Sequence, residues 1–121
     1  MGVRDRIMAR LLRIEYEGAF YHVTARGNER GKTFFLKPDY ERFKDYLRKA
    51  QDKYGYLFHS FVLMTNHYHL LIETLSMNLS QVMHYVNASY TGYVNRKRHR
   101  SGHLFQGRYK AIVIERDSYL L

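Results

Sequence analysis

The stretch from Tyr56 to Thr74 constrains the fold most. Tyr56–Met64 (YLFHSFVLM) and His67–Thr74 (HYHLLIET) are both dense in aromatic, β-branched and aliphatic residues, and only Thr65-Asn66 lies between them. Side chains of this kind favour strands. Two strands joined by so short a connection form a hairpin or a tightly bent antiparallel pair.

Other segments arrange themselves around that pair. Ala19–Ala25 (AFYHVTA) reads as a first strand, closed by the loop Arg26-Gly27-Asn28-Glu29-Arg30-Gly31 with its two glycines, and a short apolar run covers Thr33–Leu36. Pro38-Asp39 predicts a helix start with Asp39 as N-cap. Tyr40, Phe43, Tyr46, Leu47 and Ala50 recur at three- and four-residue steps, one face of an amphipathic helix that Gly55 would end. A second helix is predicted over Leu79–Arg98, capped by Ser76 or Asn78, with Leu79, Val82, Met83, Val86, Tyr90, Tyr93 and Val94 on its apolar face. A loop with two glycines, Ser101–Arg108, leads to a strand at Tyr109–Ile114. Asp117 then reads as an N-cap, but only Ser118-Tyr119-Leu120-Leu121 follow. One turn cannot stabilise itself, so the segment reads as a truncated helix or as a frayed tail. The order strand, helix, strand, strand, helix, strand implies an α+β fold: an antiparallel sheet with helices on one face, similar in order to ferredoxin-like folds.

The 121 residues are read as one domain. Without cysteine there can be no disulfide, thiolate metal site or cysteine nucleophile. No apolar run approaches the length of a membrane span, and the first 18 residues lack the apolar core of a secretory leader, so a cytoplasmic protein without membrane partners is expected. A formal net charge of +9, with 16% aromatic residues, favours a polyanionic partner. Cations hold phosphate while rings stack on bases.

His67 and His69 carry the sharpest chemistry. Alternate residues of a strand share a face, so the two imidazoles project together about 7 Å apart along the backbone. Such a pair can hold a metal ion, or it can be two ordinary histidines on a half-exposed strand; spacing identifies no third ligand. Leu71 and Glu73 fall on the same face, and Glu73 could orient a ligand or sit at the solvent end of its strand. His22 would approach the pair if its strand were a neighbour, but a packed or hydrogen-bonded role suits it as well. Arg26, Asn28 and Arg30 line a glycine-broken loop that suits phosphate or plain solvent. Arg96, Lys97, Arg98 and Arg100 crowd a helix C-terminus, where they complement the macrodipole or meet DNA. Arg108 and Lys110 alternate with Tyr109 and give one strand face a basic character.

Three blocks resemble one family. Tyr21-His22-Val23-Thr24-Ala25-Arg26-Gly27-Asn28 looks like the opening motif of the REP-associated tyrosine transposases and related IS200-like insertion-sequence transposases. Val62–Leu71, with His67-Tyr68-His69 at its centre, resembles their His-hydrophobic-His (HUH) metal motif. Gly102–Lys110 resembles a later Gly-His-Leu-(aromatic)-Gln-Gly-Arg block, where His103 and Gln106 would contact DNA or a dimer partner. The resemblance implies a single-tyrosine HUH transposase that binds single-stranded or hairpin DNA, commonly as a homodimer. It implies a divalent metal, Mg²⁺ or Mn²⁺, on His67 and His69. It also implies tyrosine attack on a phosphodiester, leaving a 5′-phosphotyrosine intermediate.

The chain departs from the family pattern at its end. The nucleophilic tyrosine of relatives lies on the helix after the last strand, followed by an Asn or Gln that serves as a third ligand. Tyr119 falls about two turns short of that position. The expectation is that the nucleophile is missing, with Tyr119 the nearest substitute and Tyr90 and Tyr93 packing residues. The alternative function is then a non-cleaving remnant that binds DNA hairpins. An RNA-binding domain on a similar sheet is a third reading, although no RNP-type motif occurs.

Overall fold

A computed structural model describes residues 19–74 and 78–114. Strand β1 (Phe20–Arg26) is followed by helix α1 (Lys37–Tyr54), strands β2 (Leu57–Met64) and β3 (His67–Glu73), helix α2 (Leu79–Lys97) and strand β4 (Lys110–Ile114). The sheet order is β2-β3-β1-β4, and every neighbouring pair is antiparallel. This is the expected α+β, ferredoxin-like arrangement. Ser76, Asp117 and Tyr119 lie outside the described residues.

Strand periodicity sorts the two faces of the sheet. Val23 pairs with Leu70 and Ala25 with Tyr68, and these side chains with Tyr21 and Ile72 are buried beneath the helices. Phe43, Leu47 and Ala50 from α1 meet Val82, Met83, Val86, Tyr90 and Val94 from α2 in the same core. Phe34 and Phe105 close it from the loops, each with a ring against Tyr90. The opposite face carries Thr24, His67, His69 and Lys110. Burial of the first set supplies most of the driving force, on the order of 1.5–3 kcal/mol for each large side chain.

β2 and β4 are the edges. In the apolar run Tyr56–Met64, Val62 is 53% and Met64 46% exposed, because they pair with His69 and His67 and so lie on the face that the helices leave open. The buried member of that run is Tyr56, which precedes the strand and donates its hydroxyl to Leu47 O at 2.7 Å.

Asp39 is not the N-cap expected from sequence. Leu36 occupies that position, and Asp39 stands inside the first turn. Its Oδ2 accepts from Phe35 N (2.9 Å) and Leu36 N (2.8 Å), while Oδ1 accepts from Tyr93 Oη (2.8 Å) and Lys97 Nζ (2.9 Å). One carboxylate thus starts α1 and clamps it to the end of α2. Burial opposes ionisation here, but the bonds from Lys97, Leu36, Tyr93 and Phe35 outweigh it and hold the carboxyl below its ordinary range. α2 begins at Asn78, whose side chain does not cap the helix but donates to Tyr54 O at 2.8 Å. α1 ends on Gly55, at φ 70°, a left-handed position suited to glycine.

Asp39→Asn should destabilise the fold by roughly 1.5–3 kcal/mol in urea titrations at neutral pH, the usual worth of hydrogen bonds to a charged group. Because the folded pKa is depressed, that contribution is full above the unfolded carboxyl range, near 3.9. It is lost as pH falls through the folded value. The gap between wild type and variant should therefore narrow on acidification below about pH 4.

Candidate nucleic-acid and metal site

Where the open face of the sheet meets its loops, a cleft of about 670 Å³ forms. β1 contributes Thr24 and Arg26, β3 His67 and His69, and β4 Lys110. Arg30, Asn66, Gln106 and Arg108 close it from the loops. Among the described residues no carboxylate lines the cleft, and Arg26, Arg30, Arg108 and Lys110 give it a positive potential suited to phosphate.

The loops are held by their backbones. Gly27 N donates to Asn66 O, Asn28 N to Leu104 O, Gln106 N to Arg26 O, and Thr33 N and Phe34 N both to Thr65 O. Three segments remote in sequence thus form one rim. Its tightness shows at Gly27, where a Cβ would lie 1.9 Å from Gly31 O. Glu29 (φ 55°) and Arg30 (φ 60°) adopt left-handed backbone that side chains rarely accept, a strain that concentrates at functional sites.

The histidine rings stand close, with centroids 5.1 Å apart and planes nearly perpendicular. Each is held through Nδ1. Asn66 Oδ1, which can only accept, lies 2.8 Å from His67 Nδ1, so that nitrogen carries the proton and Nε2 keeps its lone pair. His69 Nδ1 lies 3.0 Å from His22 Nε2. Partial burial, with His22 and His67 beside it, lowers the His69 pKa and favours the neutral ring a metal needs. Among the described residues no group of three His, Asp or Glu side chains converges on one point, and these residues offer two imidazoles there. Two nitrogens fit a divalent cation that completes its shell with water or phosphate oxygen, and imidazole suits Mn²⁺ better than Mg²⁺.

The sequence-derived candidates separate in space. Arg26, Arg30, Gln106, Arg108 and Lys110 share the cleft with His67 and His69. Asn28 does not line it, and its backbone stitches the rim. The dense basic run is largely occupied elsewhere. Lys97 is bonded to Asp39 and Tyr93, Arg98 lies 3.9 Å above the Phe35 ring, and Arg100 holds Asn95 and His103 O. Arg96 is not among the cleft residues. His103 lines a second groove of about 890 Å³ along α2, which joins the cleft at Gly107 and Arg108. Glu73 accepts from or pairs with His59 Nε2 at 3.1 Å, four residues beyond His69 and so on the order of 13 Å along the strand. Its carboxylate is mostly buried and engaged by His59, away from both candidate ligands. Asn66, adjacent to the histidine pair in sequence, was legible as a turn residue but not as a partner of His67.

Residues 15–120 match the sequence profile of the family described as "Transposase IS200 like". The fold is similar to a REP-associated tyrosine transposase solved with a REP hairpin bound, with a TM-score of 0.72 at 14% identity over 88% of this chain and 62% of that one. The chain therefore spans less than two thirds of that relative. A protein from Deinococcus radiodurans R1, provisionally described as a transposase, is similar with a TM-score of 0.64 at 16% identity, covering 87% of this chain and 86% of that one. No curated protein sequence matches. Among the described residues no helix is long and apolar enough to cross a membrane.

Gly27→Ala is expected to force the rim open and to cost at least about 2 kcal/mol, the scale of a severe local strain. A thermal melting midpoint equal to that of wild type would show that the rim yields freely.

Proposed function

The chain belongs to the IS200-like transposases, and on that premise we propose that it binds single-stranded or hairpin DNA in the basic cleft and holds a divalent metal on His67 and His69. The observation that carries this reading is the meeting of the two imidazoles with four cationic side chains in one cleft. Arg26, Arg30, Arg108 and Lys110 neutralise the DNA backbone, and Gln106 offers an amide for hydrogen bonding at the same wall. His67 and His69 present their Nε2 atoms toward the phosphate so gathered. A metal bound there supplies Lewis-acid polarisation of the scissile phosphodiester.

In this reading a tyrosine hydroxyl attacks the phosphorus, the bond to the leaving 3′ oxygen breaks, and a 5′-phosphotyrosine link remains. The buried tyrosines are poorly suited to that role. Burial raises the pKa of Tyr56, Tyr68 and Tyr90. Their hydroxyls are committed to Leu47 O, Asn87 Oδ1 and Thr33 O. Tyr93 is bound to Asp39. Tyr119, outside the described residues, is the tyrosine of this chain to test. The relative solved with a REP hairpin supports hairpin DNA as the partner. A homodimer accords with the family resemblance.

Two measurements test the proposal. Calorimetric titration with Mn²⁺ should show a site that weakens at least about tenfold when His67→Ala and His69→Ala are combined; unchanged affinity would remove the metal reading. For DNA, each of Arg26→Ala, Arg30→Ala and Arg108→Ala should lower the slope of log K against log salt by about 0.7 for single strands or 0.9 for a duplex stem. Slopes that ignore these changes would place the DNA elsewhere. Covalent trapping that disappears in Tyr119→Phe would assign the nucleophile, whereas binding with no adduct would favour the non-cleaving reading.

A further inference from the structure

His22 is absent from the cleft wall but touches the site. It sits on β1 opposite Leu71, one diagonal step from His69, which pairs with Thr24. The two rings are nearly parallel, at 18°, with centroids 5.2 Å apart and His22 Nε2 only 3.0 Å from His69 Nδ1. Nitrogens that approach so much closer than their ring centres meet edge-on, in hydrogen-bonding geometry.

A neutral imidazole has one N–H and one lone pair, so the bond can run two ways. If His22 donates, His69 carries its proton on Nε2 and cannot ligate through that atom. If His69 donates from Nδ1, its Nε2 lone pair is free. The surroundings favour the second arrangement. His69 lines the cleft with Arg26, Arg30, Arg108 and Lys110, and a lone pair facing those cations is stabilised where an N–H dipole is repelled. His67 next to it is already in the same tautomer, set by Asn66.

We propose that His22 is a positioning residue: it accepts a hydrogen bond from His69 Nδ1–H and holds His69 in the tautomer and orientation that present Nε2 to a divalent cation. The inference rests on the metal reading of His67 and His69. It gives the opening Tyr21-His22-Val23 block a task distinct from packing. His22 and Asn66 are then equivalent devices, one for each candidate ligand. Loss of such an outer partner typically weakens metal binding by about 10–100-fold.

The test begins without metal. Long-range ¹H–¹⁵N correlation spectra of the imidazoles, taken at about pH 8, above the ordinary histidine range, report which nitrogen holds each proton. Wild type should show His69 protonated at Nδ1. His22→Leu should shift it toward the Nε2–H form, and His22→Gln, whose Oε1 can accept, should restore the wild-type pattern. Circular dichroism checks that both variants fold. Mn²⁺ titration supplies the second readout. His22→Leu should bind about 10–100-fold more weakly and His22→Gln within a few-fold of wild type. An Nε2–H proton on His69 in wild type would overturn the proposal, as would a His22→Leu variant with unchanged tautomer and affinity. Loss of one coordinated nitrogen from the Mn²⁺ electron spin-echo signal of His22→Leu, with His69 still bound, would make His22 a ligand and overturn it too. A wild-type chain that binds no Mn²⁺ would end the metal reading, while the tautomer spectra would still decide what His22 does to His69.

Discussion

Pairing Val23 with Leu70 and Thr24 with His69 decides which side chains enter the core and which meet a ligand. The central strands β1 and β3 are bound on both edges, so their register is fixed by two ladders each. A slip of one residue would send Tyr68 and Leu70 into the cleft and His67 and His69 under the helices. That exchange would strand imidazoles in an apolar core and strip the site of its candidate ligands. Stability and function therefore lean on the same alternation. The core holds the histidines in place although they contribute little to it.

Around that pairing, tyrosine hydroxyls and one carboxylate act as fasteners. Tyr56 ties the start of β2 to α1, Tyr68 ties β3 to α2, and Tyr90 ties α2 to the loop at Thr33. Asp39 joins the two helices. These rings fill the core while their oxygens satisfy groups that burial would otherwise leave unpaired. Much of the aromatic content that suggests base stacking is thus spent on packing. The basic content divides similarly, with Lys97 and Arg98 engaged within the fold and Arg26, Arg30, Arg108 and Lys110 gathered at the cleft.

Elements with a strong period were legible in the sequence. The hairpin, both helices and the shared face of His67 and His69 follow from local spacing, which needs no knowledge of distant contacts. Asp39 was misread as a cap because Tyr93 and Lys97 lie more than fifty residues away, and only folding brings them to it. The charge density of the run from Arg96 to Arg100 is visible in sequence, while its internal partners emerge only in the fold. The cleft could not be read in full, since Arg30, Asn66 and Gln106 become neighbours only through loop-to-loop bonds. His22 was recognisable as near the histidine pair if the strands were adjacent, and the antiparallel register supplied that condition.

The rim stitched by Gly27, Asn28, Thr33 and Gln106 has a consequence for how this fold can vary. Its bonds join three loops at single backbone atoms, and Gly27 packs so closely on Gly31 that no side chain fits between them. Lengthening any one of these loops by a residue would misalign the other two. Insertions and new sequence should thus accumulate outside this rim. The cleft rim can change its side chains only at constant loop length.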